Sequence, residues 1–129
     1  MDIIDAVRNR YAEDFLLREP LDEERYEKAK TLFPAELAEL LHESDGIEET
    51  MVIPKTGERV SVYFIVYTFD EIISETETYR ADHGGDGVVF SGNGAGGKYV
   101  IKPDGKVYFR EYYDEEEEFC AGSLLEFFR

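Results

Sequence analysis

The first third of the chain places apolar residues at helical spacing. A stripe at i, i+3 and i+4 positions predicts a first helix, and its members are Ile3, Ile4, Val7, Tyr11, Phe15 and Leu16. Pro20 is expected to end that helix, and a charged segment at residues 22–30 follows. Pro34 suits the first turn of a stronger helix with Leu37, Leu40 and Leu41 on its buried face, and Gly46 suits its C-terminal cap. The N-terminal third is therefore predicted to be helical.

The pattern changes to period two in the middle of the chain. At residues 59–69 both alternating sets of side chains are largely apolar or aromatic, which predicts a central strand covered on at least one side. Asp70 suits the N-cap of the helix that follows, and this helix is expected to end near Tyr79.

Three short strands and a final helix are predicted in the last third. The strands are expected at residues 87–90, 98–102 and 106–112. Asp104 and Gly105 predict a two-residue type I′ turn between the last two strands. Ser123 and Glu126 match a capping box that opens a short apolar helix. With no repeat and no linker, the sequence predicts a single α+β domain over residues 1–129.

Charge narrows the range of partners. The chain has 129 residues and a net charge of −16, with 43% hydrophobic and 14% aromatic residues, so it is expected to fold around a real core. A molecule this acidic repels phosphates and anionic membranes, which argues against nucleic-acid and membrane binding, and it attracts basic proteins. The net charge of −16 is equally well explained if the acidity only keeps the protein soluble or reflects a salt-adapted host.

The compartment follows from what the sequence lacks. Cys120 is the single cysteine, so no internal disulfide can form, and we expect a small buried apolar residue there. The N-terminal residues have neither the basic nor the apolar region of a signal peptide, and no apolar stretch approaches the roughly 20 residues that span a bilayer. The sequence therefore predicts a cytoplasmic protein.

A glycine-rich stretch resembles two phosphate-binding motifs. Residues 92–98 match G-x-G-x-x-G and also the first seven positions of a P-loop. Tyr99 follows Lys98 where the P-loop has Ser or Thr, and the next residues are typical of a strand rather than of the helix that both motifs need. We interpret the stretch as a connection between strands, with nucleotide binding as a distant alternative.

No catalytic constellation can be assembled from the sequence. His83 and Asp86 could ligate a metal, but a single pair is weak evidence and a turn explains it better. Cys120 has no positive neighbour to lower its pKa, and the many carboxylates nominate no catalytic pair. We therefore predict a protein that is not an enzyme and that uses no cofactor and no metal.

One acidic run is the main candidate for a binding surface. It consists of Asp114, Glu115, Glu116, Glu117 and Glu118. Consecutive carboxylates point in different directions and lack the spacing of a calcium loop, so the run is either solvated charge or a docking patch for a basic partner. Tyr112 and Tyr113 are candidate anchors because aromatic residues often dominate binding energy, and Glu48 and Glu49 are second candidates.

Four short motifs follow one another in a fixed order along the chain. They are Phe33-Pro34 with Leu37, Leu40-Leu41 and Ser44-Asp45-Gly46; Phe69-Asp70-Glu71-Ile72; Gly84-Gly85-Asp86-Gly87; and Ser123-Leu124-Leu125-Glu126-Phe127. In this order they resemble the SUKH superfamily, in its Smi/Knr-like branch. The resemblance covers about residues 20–129 and implies an α+β domain with a mainly antiparallel sheet backed by helices. Asp45 stands where the family usually has Asn, and the tryptophan often found near the central strand is absent.

The resemblance implies a function that composition alone does not. Bacterial members of the superfamily are immunity proteins that bind and neutralise polymorphic or contact-dependent toxins, often nucleases or deaminases, and fungal relatives regulate cell-wall assembly. We therefore expect a non-catalytic domain that binds a basic toxin domain, with a regulatory adaptor as the alternative and a nucleotide- or metal-dependent enzyme as a distant third. The sequence does not decide between a monomer and a dimer.

Overall fold

The computed structural model describes residues 3–129, apart from the side chain of Tyr63. This range forms five helices and seven strands. The helices are α1 (Ile3–Tyr11), α2 (Glu23–Leu32), α3 (Ala35–Glu43), α4 (Phe69–His83) and α5 (Leu124–Phe128). The strands are β1 (Phe15–Leu17), β2 (Ile47–Val52), β3 (Arg59–Val66), β4 (Val88–Gly92), β5 (Lys98–Ile101), β6 (Val107–Arg110) and β7 (Glu118–Ala121).

The strands form two antiparallel sheets. One has the order β1-β2-β3 and the other the order β4-β5-β6-β7. The N–H of Tyr67 donates to the carbonyl of Phe90 at 2.8 Å, so the two sheets meet just after the end of β3. The predicted α+β class, with a mainly antiparallel sheet backed by helices, is confirmed.

The second sheet is covered on both faces where it meets α4. Because successive side chains of a strand point to opposite faces, Val88 and Phe90 join the main core, while Val89 packs with Tyr79 of α4 and Val100 of β5. The main core also contains buried residues of α1, α3 and α5. Each fully buried large aliphatic or aromatic side chain contributes about 1.5–3 kcal/mol to folding. This packing fixes α4 against β4 and β5, beside the candidate site.

The Ser44-Asp45-Gly46 motif is a structural junction. The Ser44 hydroxyl donates to the carbonyl of Gly46 at 2.7 Å and accepts from the Arg18 N–H at 2.8 Å. Oδ1 of Asp45 accepts from the Phe69 N–H at 2.7 Å, at the start of α4. Helix α3 ends at Glu43, and Ser44 is its C-cap. Gly46 lies two residues further on, has a φ of +95° and leads into β2. The prediction that Gly46 caps this helix was therefore wrong.

The first helix is shorter than its apolar stripe predicted. Ala12 has a φ of +52°, and its N–H bonds to the carbonyl of Arg8, which closes α1 at Tyr11. Phe15 and Leu16 belong to β1, where they lie opposite Glu49 and Glu48 of β2. Pairing with β2 therefore overrides the helical spacing, and Pro20 does not end α1.

Two strands and one cap were also not predicted. The strands β2 and β7 are short, and β7 begins inside the acidic run at Glu118. Thr68, rather than Asp70, caps α4, since its hydroxyl accepts from the Glu71 N–H at 3.3 Å, and the helix continues to His83.

The turn between β5 and β6 differs from the predicted type I′ turn. The N–H of Gly105 bonds to the carbonyl of Lys102 at 2.8 Å, and only Gly105 within this turn has a positive φ, of +88°. Pro103 at the second turn position restricts φ to the type I region, and Gly105 then supplies the left-handed residue that rejoins the strands. The hairpin itself is as predicted.

Candidate functional site

The acidic run lies in a turn between two antiparallel strands. This β6–β7 turn comprises residues 111–117, and Glu118 is the first residue of β7. Tyr112 and Tyr113 are 81% and 79% exposed. The carboxylates of Asp114, Glu115 and Glu116 are also on exposed residues. The structure therefore brings the two aromatic and the acidic candidates together on one short segment.

The side chain of Arg110 fixes the backbone of this turn. Its NH1 donates to the carbonyl of Asp114 at 3.3 Å and also to the carbonyl of Glu115. Its Nε donates to the hydroxyl of Tyr79 on α4 at 2.8 Å. No carboxylate of residues 3–129 lies within ion-pair distance of Arg110, so its donors are used to fix backbone and phenol oxygens.

Glu117 differs from the other carboxylates of the run because it points into the protein. Its Oε1 lies 2.8 Å from Nζ of Lys102, and the side chain of Glu117 is 17% exposed. Its Oε2 accepts a hydrogen bond from the Tyr79 hydroxyl at 2.7 Å. Glu117 therefore anchors the end of the turn to Lys102, which directly follows β5, and to Tyr79 of α4.

The pKa values in this network follow from burial and charge. Burial acts to raise the pKa of Glu117, but hydrogen bonds from Lys102 and Tyr79 outweigh burial and hold the pKa below its ordinary value. Burial raises the pKa of Tyr79 to about 12, with the Arg110 hydrogen bond opposing the shift and Glu117 supporting it. At neutral pH the network therefore contains a carboxylate, a neutral phenol and two cations.

Further aromatic side chains flank the turn, and sequence reasoning missed them. Phe119 of β7 is 61% exposed, and its ring meets that of Tyr108 on β6 edge to face, with centroids 5.7 Å apart. Nζ of Lys102 lies 5.2 Å from the centroid of the Tyr108 ring. The sequence did contain a signal for Tyr108: side chains alternate between the two faces of a strand, so Tyr108 lies on the same face of β6 as Arg110.

A cleft of about 450 Å³ separates α4 from the turn. Its lining includes Tyr79 and His83 of α4 and Tyr112 of the turn. Lys98 lines it as well, with Nζ 3.1 Å from Oε2 of Glu75 and 3.3 Å from the Tyr67 hydroxyl. Burial acts to lower the pKa of Lys98, but the bonds to Glu75 and Tyr67 outweigh it and raise the pKa. Lys98 is therefore already paired within the cleft.

The glycine-rich stretch connects β4 to β5, as the sequence predicted. Oδ1 of Asn93 accepts from the N–H groups of Ala95 and Gly97, each at 2.9 Å. These are the kind of backbone donors that a phosphate loop directs at its ligand, and here a side-chain oxygen occupies them. Lys98 begins a strand rather than a helix. The arrangement therefore lacks the geometry of both phosphate motifs.

Other candidate residues lie apart from the turn. Glu48 and Glu49 belong to β2 in the three-stranded sheet, and Oε1 of Glu48 is 3.6 Å from NH1 of Arg18. Cys120 lies exposed on β7, contrary to its predicted burial. Partial burial and the nearby Glu118 raise the pKa of its thiol, which disfavours a reactive thiolate. The structure therefore does not unite the second candidates with the acidic run.

Neither a cluster of potential metal ligands nor a membrane-spanning helix occurs among the described residues. Within residues 3–129, no group of three or more His, Cys, Asp or Glu side chains is placed to hold a metal ion. The same range contains no helix with the length and apolar character needed to cross a bilayer. His83, which the sequence predicted to lie in a turn, is instead the last residue of α4. Its ring packs against that of Tyr79, with centroids 4.8 Å apart.

Comparison with known proteins adds no assignment. No protein-family model matches the chain. No curated protein matches it either. The resemblance to the SUKH superfamily therefore stays a prediction that rests on the motifs in the sequence.

Proposed function

We propose that this protein is a non-catalytic binding protein that neutralises a basic toxin domain, with the β6–β7 turn at the centre of its contact surface. The observation that carries the proposal is the display of Asp114, Glu115 and Glu116 beside two exposed tyrosines, on a turn whose backbone is fixed by Arg110 and Glu117. The resemblance to SUKH immunity proteins supplies the biological role.

A fixed turn favours tight association. Ordering a loop on binding costs free energy, and a loop held in place beforehand avoids part of that cost. Arg110 bonds to two successive carbonyls of the turn, and Glu117 binds both Lys102 and Tyr79. The displayed carboxylates can therefore meet a partner without first ordering the backbone that carries them.

The exposed rings suit the role of anchors. Among the large hydrophobic side chains that the structure describes, Tyr112 and Tyr113 are the two most exposed, and Phe119 follows them. Aromatic residues at the centre of an interface commonly account for a large part of its binding energy. A cluster of rings beside a cluster of carboxylates fits a basic partner whose contact surface is partly apolar.

The charge of the chain adds long-range attraction. A net charge of −16 steers a basic protein towards this molecule, and the displayed carboxylates direct it to the turn. A toxin that acts on nucleic acid has a basic active site, and an acidic surface can occupy it in place of phosphates. This reasoning supports a nuclease as the class of toxin.

Charge reversal tests the surface. The variant Asp114→Lys, Glu115→Lys and Glu116→Lys should slow association with a toxin domain encoded beside this gene by about tenfold or more at low salt. Stopped-flow or surface-plasmon-resonance kinetics measures the rate. An unchanged association rate at low salt would exclude the turn as the contact surface.

A matched control separates local charge from total charge. Glu13→Lys, Glu19→Lys and Glu24→Lys changes the net charge equally at exposed residues outside the turn. We expect this control to slow association far less. Co-expression with the toxin then tests the role: survival of the cells supports immunity, whereas binding without protection points to the regulatory adaptor, and absence of both binding and protection overturns the proposal.

A further inference from the structure

A cavity of about 150 Å³ lies between the two sheets, and residues of β3, β4 and β5 all contribute to it. Its polar and aromatic lining consists of Arg10, Tyr11, Ser91, Asn93, Tyr99 and Phe127. The volume is several times the roughly 30 Å³ of one water molecule, so the cavity can hold a small molecule. No residue of the β6–β7 turn lines it, so this cavity is separate from the proposed contact surface.

A β-bulge directs Ser91 towards this cavity. Val89 of β4 lies opposite Val100 of β5. The next pair is Ser91 with Tyr99, which leaves Phe90 as an extra residue in β4. Side chains directly opposite each other in antiparallel strands share a face, so Ser91 shares the face of Tyr99 and not that of Val89. Tyr99 packs against the main core and lines the cavity.

Ser91 is a buried polar residue without a partner. It is 3% exposed, and its hydroxyl makes no hydrogen bond to any described residue. The other buried polar side chains, of Ser44, Thr50 and Thr76, each form at least one hydrogen bond. Every fully enclosed side-chain N or O atom of the described residues has a partner, so the Ser91 oxygen is reached from the cavity. An unpaired hydroxyl in a buried wall costs free energy, and a bound molecule that bonds to it removes that cost.

Further donors at the cavity are also unused. In the described part of the chain, the hydroxyls of Tyr11 and Tyr99 and Nδ2 of Asn93 make no hydrogen bond. Burial is the main cause that raises the pKa values of Tyr11 and Tyr99, so both phenols are neutral at physiological pH and can donate. Arg10 is exposed at the rim, where its NH1 donates to the carbonyl of Phe127 at 2.7 Å. No described carboxylate pairs with its guanidinium.

The charge of the lining favours an anion. Arg10 is the only charged side chain among the described residues that line the cavity, in a chain whose net charge is −16. Glu49 and Glu111 act on the pKa values of two lining tyrosines, but neither residue lines the cavity. The carbonyls of Tyr11 and Phe127, near the C-terminal ends of α1 and α5, already accept hydrogen bonds within the chain. Donors grouped around one unpaired guanidinium are suited to bind oxygen atoms that carry negative charge.

We propose that this cavity binds a small oxyanion, of the size of phosphate or a short carboxylate, which bonds to Arg10 and to the Ser91 hydroxyl. The hydroxyls of Tyr11 and Tyr99 supply further donors. The site does not use the N–H groups of the glycine-rich stretch, because Oδ1 of Asn93 already accepts from two of them. It is independent of toxin binding, which the proposed function places at the turn.

NMR titration of the ¹⁵N-labelled full chain tests the proposal, with sodium phosphate and sodium acetate as separate probes. Sodium chloride keeps the ionic strength constant, so that screening of the acidic chain does not change. We expect saturable shifts of the amide signals of residues 91–93 for at least one probe, with a millimolar Kd. A response to one probe alone identifies the ligand as phosphate-like or carboxylate. The absence of saturable shifts up to about 0.1 M of either probe would overturn the proposal.

Two pairs of matched variants locate the site. Arg10→Met removes the cation, and Arg8→Met makes the same change on the same helix outside the cavity. Ser91→Ala removes the buried hydroxyl, and Ser74→Ala removes an exposed hydroxyl of α4. We expect the Kd to rise about tenfold or more for Arg10→Met and about threefold or more for Ser91→Ala, with no change in the controls. Unchanged affinity in both cavity variants would contradict the site, whatever the outcome of toxin binding.

The stability of Ser91→Ala supplies a readout without any ligand. Because the variant removes a buried hydroxyl that has no partner in the described chain, its Tm should equal or exceed that of the wild type when neither probe is present. Circular dichroism measures this Tm. A clearly lower Tm would mean that the hydroxyl is already satisfied within the protein, and it would count against a bound anion.

Discussion

Two hairpins of this molecule, β6–β7 and β2–β3, are each anchored by an arginine: Arg110 bonds to two backbone carbonyls and Arg59 to one. Arg110 donates to the β6–β7 turn and to Tyr79, whereas Arg59 donates to the carbonyl of Glu13 at 2.8 Å and to the hydroxyl of Thr50 at 2.7 Å. In residues 3–129 neither guanidinium has a carboxylate within 4 Å. The β6–β7 turn has a second anchor in Glu117. The β2–β3 arm, which is the hairpin segment at residues 51–62, has no comparable ion pair in that range.

The two hairpins of one acidic chain therefore display two kinds of surface. The turn is fixed at both ends and displays carboxylates and rings, which suits fast association with a basic partner. The arm is anchored near its base and displays aliphatic side chains on an open edge. Contacts through the turn should weaken with salt, because salt screens the attraction between its carboxylates and a basic partner.

The largest expected effect is the loss of the arginine under the turn. Arg110→Met keeps much of the apolar stem but removes the donors to Tyr79 and to two carbonyls, so the free energy of unfolding should fall by about 2–3 kcal/mol. Urea denaturation measures the change. Hydrogen exchange at residues 111–117 should accelerate as well, and unchanged exchange there would contradict the anchoring role.

The second prediction concerns the carboxylate that anchors the turn. Glu117→Gln removes charge-assisted bonds to Lys102 and Tyr79 and should cost about 1–2 kcal/mol at pH 7. The pKa of Glu117 is lowered from 4.5 on folding, so its contribution to stability is complete above that value. It is lost as the pH falls through the lower, folded-state pKa.

The pH profile checks this sign. Wild type should lose stability below pH 4.5 more steeply than Glu117→Gln, as measured by urea denaturation at several pH values. Lys102→Met should flatten the same interval, because Lys102 is the first of the groups that lower the pKa of Glu117. Parallel profiles for wild type and both variants would rule out this coupling.

The third prediction is the matching change in the arm. Arg59→Met removes the bonds to the Glu13 carbonyl and the Thr50 hydroxyl, and we expect the free energy of unfolding to fall by about 1 kcal/mol. The loss is small because Arg59 is exposed, so water can bond to the Glu13 carbonyl in its place. Urea denaturation again measures the loss. A cost as large as that of Arg110→Met would mean that the arm is as firmly anchored as the turn.

Local chemistry explains which elements could be predicted from sequence. Half of the predicted capping box forms: Ser123 Oγ accepts from the Glu126 N–H at 3.1 Å, but the Glu126 carboxylate accepts from the Gly122 N–H at 2.9 Å rather than from that of Ser123. The strand at residues 59–66 follows its alternating pattern. β1 could not be predicted, because Phe15 and Leu16 continue the helical spacing of α1 and only their pairing with β2 makes them a strand.

The residues that anchor the turn also could not be predicted from the sequence, because their roles depend on contacts between distant parts of the chain. Glu117 looks like any member of the acidic run, and its role depends on Lys102 and Tyr79, which the fold brings from 15 and 38 residues away. The exposed tyrosines could be proposed because their neighbours are charged. Which carboxylate is structural and which are displayed depends on tertiary contacts alone.

The smallest expected effect on stability separates these two kinds of carboxylate within one run. Neutralising the displayed residues, as Asp114→Asn, Glu115→Gln and Glu116→Gln, should change the free energy of unfolding by less than about 0.5 kcal/mol, because these exposed side chains form no ion pair with any described residue. The same variant should still slow association with a basic partner. Urea denaturation and association kinetics on one preparation measure both quantities. A stability loss equal to that of Glu117→Gln would show that the whole run is structural, and the turn would then have no claim to be a binding surface.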